Sequence, residues 1–125
     1  MKWLAPECIK QKKFTHFSDI WSYGVLVWEV FAHGATPYAK LTAVEAAMSI
    51  GIGMRLQQPI GCPAGLYQLM KRMWHLDPEQ RITIEEVQTI LINKLIRSDI
   101  SYDLSTSDSA LSDTTPPTSP RFNAR

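Results

Sequence analysis

Between Asp19 and Ala32 the chain reads DIWSYGVLVWEVFA, apolar at nearly every position. With Ser18 placed to cap it, this run predicts a helix without a polar face. Such a helix must be surrounded by protein, so it is expected to be the central pillar of the core. A second helix is predicted from Thr42, where Thr42 and Glu45 have capping-box spacing, and Gly51 is a natural stop. After Pro63, the residues Leu66, Leu69, Met70, Met73 and Trp74 recur with the helical period and define an amphipathic third helix. The turn Asp77-Pro78-Glu79-Gln80 ends it. A further capping box, Thr83 with Glu86, opens a fourth helix that is expected to bury Ile84, Val87, Ile90, Leu91 and Leu95 along one face. No stretch reads convincingly as a strand, and the predicted fold class is mainly α.

The pattern stops near Arg97. From Ser98 to Arg125, Ser, Thr, Asp and Pro dominate and large apolar residues are few. Such a segment buries too little surface to offset its ordering entropy. The expected organisation is an ordered part, residues 1–96, followed by a disordered Ser/Thr/Pro-rich tail, residues 97–125. No internal repeat is visible.

Length and charge narrow the functional classes. A chain of 125 residues is one domain at most. Its hydrophobic fraction of 45% and charged fraction of 20% are those of a soluble globular protein. A net charge of +1 leaves no basic surplus to neutralise phosphates, which argues against nucleic acid and anionic membranes as partners. Lys10, Lys12 and Lys13 read as a solvated basic loop. The two cysteines, Cys8 and Cys62, are far apart and lack zinc-site spacing; they fit a reducing compartment or a single disulfide. The basic start meets Pro6 and Glu7 without an apolar signal core. The most apolar run, Trp21 to Ala32, contains Glu29 and is too short to span a bilayer. The expected location is cytoplasmic.

Local chemistry is sparse. Gly51-Ile52-Gly53 has no third glycine and ends a helix instead of following a strand, so it reads as helix termination and not as a nucleotide loop. His16, His33 and His75 share no spacing with a carboxylate or thiolate, and no nucleophile–base pair can be assembled. On this evidence alone the chain is a helical soluble domain.

Four blocks in order change the picture: KWLAPE at the start, SDIWSYGVLVWEVFAHGATPY, then GMRLQQPIGCP, and MWHLDPEQR. Together they resemble the C-terminal lobe of a protein tyrosine kinase from its APE motif onward, over residues 1 to about 95. Trp3 beside Lys2, WEVFAHGATPY and the GMRL…CP…LYQLM run favour the tyrosine branch over the serine/threonine branch. Pro6-Glu7-Cys8 and WSYG are similar to the cytoplasmic spleen-tyrosine-kinase group. The chain departs from the family at Met73-Trp74, where Cys-Trp is common, and at Arg81-Ile82 and Ile84, where Arg-Pro and a phenylalanine are common. All are apolar replacements that a core accommodates by repacking.

The resemblance implies structural roles. Glu7 and Arg81 would form a buried ion pair tying the activation segment to the lobe. Asp19 would accept backbone N–H bonds from the catalytic loop, and Trp21 and Gly24 belong to the same helix signature. Lys2, Trp3, Leu4 and Ala5 would shape the pocket beside the substrate tyrosine. No residue of this chain matches a catalytic, cofactor-binding or metal-binding position. In the family, the glycine-rich loop, the lysine–glutamate pair, the catalytic-loop aspartate and the DFG aspartate all precede the APE motif. ATP and Mg are expected for a full-length member and not for this chain. The expectation is therefore a kinase part that is inactive alone, with a non-catalytic docking or competitor module as the alternative. Met1 stands where the family carries Val or Ile, which fits an internal methionine of a longer chain. The partners implied are tyrosine-containing protein substrates of a complete kinase, cytoplasmic or in the cytoplasmic region of a receptor.

The tail offers Tyr102, Thr115 and Ser119 as candidate phosphosites, the latter two before Pro116 and Pro120. Pro117 and Pro120 with Arg121 have the spacing of an SH3 ligand, and Thr115 and Ser119 suit a proline-directed kinase. Ser/Thr/Pro-rich composition also produces such matches without function.

Overall fold

The computed structural model describes residues 1–109, with side chains for residues 1–98 and 101. The elements are α1 (Pro6–Gln11), α2 (His16–Phe31), α3 (Ala43–Gly51), α4 (Ala64–Met73), a 3-10 turn (Pro78–Gln80) and α5 (Ile84–Ser109). The described residues contain no strand. They fall into two units, one covering Met1–Gln88 and one beginning at Thr89.

Two of the helix starts follow the sequence closely. At α3, the Glu45 amide donates to Thr42 Oγ1 (3.2 Å) and the Thr42 amide donates to Glu45 Oε2 (2.7 Å). At α5, Glu86 N donates to Thr83 Oγ1 (3.2 Å) and Thr83 N to Glu86 Oε2 (3.0 Å). Each box satisfies two amides that the first turn leaves without partners. The α2 start differs from expectation. Ser18 does not cap it from outside; it lies in the first turn, and its Oγ accepts from the Thr15 amide (2.7 Å) and donates to the Thr15 carbonyl (2.7 Å). This bond moves the N-cap to Thr15 and starts the helix earlier. The short helix α1 was not anticipated; Pro6, in its first turn, presets the helical φ.

The core of the first unit is the α2–α4 contact. From α2 come Ile20, Trp21 and Val25; from α4 and its end come Leu69, Met70, Met73 and Trp74, all buried. Gly24 permits the close approach: a Cβ there would stand 2.7 Å from Trp74 Nε1 and 3.1 Å from Met73 Cβ. Ala46 and Ile50 of α3, Leu56, Ile82 and Val87 extend the core, with Ala5, Cys8 and Cys62 also buried. Both cysteines are free, so they are not joined in a disulfide.

Three expectations need correction. First, α2 is not enclosed on all sides: Tyr23 is 39% exposed, Leu26 52% and Val30 67%. One face packs on α4 while this stripe turns outward. Second, the α5 stripe is not buried throughout. Val87 is, but Ile84 is 52% exposed and Leu95 63%. Third, α5 continues to Ser109, past the compositional break at Arg97, so residues 98–109 are helical. No proline interrupts them, and Ile96, Ile100 and Leu104 keep a one-turn spacing. Residues from 110 on lie outside the described residues.

Candidate functional site

The feature that organises the first unit is a buried guanidinium. Arg81 follows the 3-10 turn in extended conformation and is 3% exposed. Its Nη1 donates to Glu7 Oε1 (2.6 Å) and its Nη2 to Glu7 Oε2 (2.9 Å), a bidentate pair between residues 74 positions apart. Two further donors are used: Nη1 reaches the Phe17 carbonyl (2.9 Å) and Nε the His75 carbonyl (2.8 Å). Burial pushes the Glu7 carboxyl up, but the Arg81 hydrogen bonds and charge, its own amide and the charge of Lys13 outweigh this and hold it below the usual value. One arginine thus ties α1, the start of α2 and the end of the α4 segment together.

Trp21 carries a second arginine. The Arg81 guanidinium lies 5.0 Å from the centre of its ring and that of Arg55 5.1 Å. Arg55 also donates from Nε to the Trp74 carbonyl (2.9 Å) and from Nη1 to the carbonyls of Ile50 (3.0 Å) and Met54 (2.7 Å). It closes the ends of α3 and α4 against the ring. Burial lowers the Arg55 pKa, although a guanidinium remains charged across the working range. Arg55 lies in the GMRL block noted in the sequence, but its role was missed. Its partners are backbone carbonyls, and those leave no mark on side-chain spacing. The indole N–H groups of Trp21 and Trp74 are buried without a hydrogen-bond partner.

The loop of Lys2, Trp3, Leu4 and Ala5 lies on the α2 side of this anchor. Trp3 Nε1 donates to Glu29 Oε2 (2.8 Å), Ser22 Oγ donates to the Trp3 carbonyl (2.9 Å), and Lys2 Nζ reaches the Tyr38 carbonyl (3.0 Å). Ala5 is fully buried and Trp3 is 37% exposed, so the loop is rooted at one end and open at the other. Asp19 stands apart: it is exposed at the head of α2 and makes no side-chain hydrogen bond among the described residues. Tyr102 lies in α5 with its side chain outside the described residues; Thr115 and Ser119 lie outside them altogether.

No three His, Cys, Asp or Glu side chains come together as a metal site among the described residues. No described helix is long and apolar enough to cross a membrane.

The described residues are helical without a strand, and a carboxylate–guanidinium pair joins the first helix to the segment before the last, an arrangement consistent with a fragment of the C-terminal lobe of a protein-kinase fold. The family model described as protein tyrosine and serine/threonine kinase matches residues 1–91, and the chain belongs to that family. Ephrin type-A receptor 5 of Gallus gallus is 43% identical over 98 residues, which cover 78% of this chain and 10% of the receptor. Its counterparts from Rattus norvegicus and Homo sapiens are each 42% identical over 98 residues, covering 78% of this chain and 10% and 9% of the receptors. The chain therefore spans about a tenth of the length of the curated relatives it matches. These relatives lend no support to the narrower placement in the spleen-tyrosine-kinase group.

Proposed function

We propose that this chain is the substrate-facing and scaffolding part of a protein tyrosine kinase, which transfers the γ-phosphate of ATP to tyrosine hydroxyls of protein substrates. The chain alone is inactive, because the groups that hold ATP and magnesium and accept the proton lie outside it. The observation that carries this reading is the loop Lys2–Ala5, fastened to α2 through Trp3 and Ser22 and rooted beside the Glu7–Arg81 pair. A loop rooted at Ala5 and hydrogen-bonded to α2 through Trp3 presents a defined surface to an incoming peptide, and positioning of this kind is most of what a kinase contributes. In this reading Asp19 is the acceptor for catalytic-loop amides. The kinase region of the complete protein is cytoplasmic in this reading, and the similarity to proteins named as receptors supports the cytoplasmic region of a receptor over a free cytoplasmic kinase. Thr115 and Ser119 are candidate sites for a proline-directed kinase, Tyr102 a candidate phosphotyrosine, and Pro117 to Arg121 a candidate SH3 ligand.

The test is the transcript upstream of the Met1 codon. An open frame encoding HRD and DFG motifs, whose product phosphorylates a tyrosine polymer while residues 1–125 do not, supports the proposal. An in-frame stop sinks it and favours a non-catalytic docking or competitor module. Phosphotransfer by the 125-residue chain itself would overturn its inactivity.

A further inference from the structure

Helix α3 sends two faces in opposite directions. Ala46 and Ile50 are core, whereas Val44 and Met48, one turn apart, and Ile52, just past the helix end, are 63%, 69% and 90% exposed. Together with Met1 and Ile9 they line an open groove of about 430 Å³ between α1 and α3. Lys10 is the one lining residue with a charged side chain. That ammonium sits over the end of α3, 3.4 Å from where a Cβ on Gly51 would stand. The carbonyl end of the helix favours a cation there. Lys10 makes no ion pair among the described residues, and Lys12 and Lys13 follow it on the surface. The groove thus combines a line of bulky apolar side chains with an unpaired positive charge and no carboxylate.

We propose that this groove docks an acidic amphipathic segment of a protein partner, whose apolar residues one helical turn apart seat on Val44, Met48 and Ile52 while a carboxylate meets Lys10. A nucleic acid would find too little positive charge and too much apolar surface here, and a basic peptide would be repelled at Lys10. The apolar line matches the way an amphipathic helix lays its face into a groove. Oppositely charged ends then set direction and select against basic competitors.

The 125-residue chain carries its own reporters. With methionine methyls labelled with ¹³C, Met1 and Met48 report the groove, while Met70 and Met73, buried in the core, report the fold. The probe is a synthetic helical peptide with leucines one turn apart and flanking glutamates, compared with the same peptide carrying lysines. The glutamate peptide is expected to shift the Met1 and Met48 signals saturably and leave Met70 and Met73 in place. Lys10→Glu should weaken it at least about fivefold, Lys10→Arg should retain it, and the lysine peptide should bind at least about fivefold more weakly. Met48→Gln, with the Met70 and Met73 signals unchanged, should weaken it too. Absence of a saturable shift, equal binding of the lysine peptide, or a Met48 signal that moves with protein concentration alone would overturn the proposal. The last outcome would assign the groove to a second copy of the chain.

Discussion

Glu7 and Arg81 meet in a bidentate, buried ion pair, with the Arg81 guanidinium also lying 5.0 Å from the Trp21 ring centre. The pair is the point at which the ends of the first unit are joined. Removing one partner strands the other charge away from water. Glu7→Gln or Arg81→Met should each lower unfolding stability by about 3–5 kcal/mol. The double variant Glu7→Leu/Arg81→Met should recover part of the loss. Urea unfolding followed by tryptophan fluorescence measures both, and equal losses in the single and double variants would contradict the account.

The same pair sets the acid response. The folded-state pKa of Glu7 is held below its ordinary value of 4.5, so the unfolded chain takes up a proton there first as pH falls. Its stabilising contribution is complete above the ordinary value and is lost as pH drops through the lowered one. A melting profile against pH should therefore fall as pH drops through that window, from the ordinary value to the lowered one, and Glu7→Gln should flatten the fall. An unchanged acid limb in Glu7→Gln would rule Glu7 out as its source.

Gly24→Ala should destabilise the protein although alanine is the better helix former. The added methyl would meet the Trp74 ring nitrogen at 2.7 Å and Met73 at 3.1 Å. Overpacking of about 1–3 kcal/mol outweighs a propensity gain of about 1 kcal/mol. A rise in melting temperature would show that α2 and α4 move apart freely.

Thr42→Ala should cost about 1 kcal/mol by removing the acceptor for the Glu45 amide at the start of α3. Hydrogen exchange should show the loss at the Glu45 amide, with the α2–α4 core amides less affected. Uniform acceleration throughout the first unit would mean that α3 opens only with the whole.

The outward stripe of α2 predicts a different response. Leu26→Gln and Val30→Gln, at positions 52% and 67% exposed, should raise solubility and change stability by no more than about 0.5 kcal/mol. Sedimentation and denaturant titration separate the two effects. A large loss of stability would show that these side chains pack in solution.

Helices α3, α4 and α5 are legible because their signals are local. A capping box reaches three residues, and an amphipathic stripe repeats within a turn or two, so both are complete in a short window of sequence. The corrections share an opposite character. The outward stripe of α2 could not be seen in a run apolar on every side, because the composition of a helix does not say which of its faces finds a neighbour. The part of α5 beyond Arg97 was obscured by Ser and Asp, whose composition suggested a tail while the one-turn spacing of the apolar residues persisted.

Family membership followed from four ordered blocks, since motif order survives in the linear chain. The arrangement around Trp21 did not. Arg55 and Arg81 approach one indole from distant positions, and most of their hydrogen bonds end on backbone carbonyls that every residue possesses. Side-chain identity specifies a bond when both partners are side chains close in sequence. Where one partner is main chain, packing of the intervening helices selects the pair; Glu7 and Arg81, 74 residues apart, are paired from sequence only through the family resemblance, and packing brings them together.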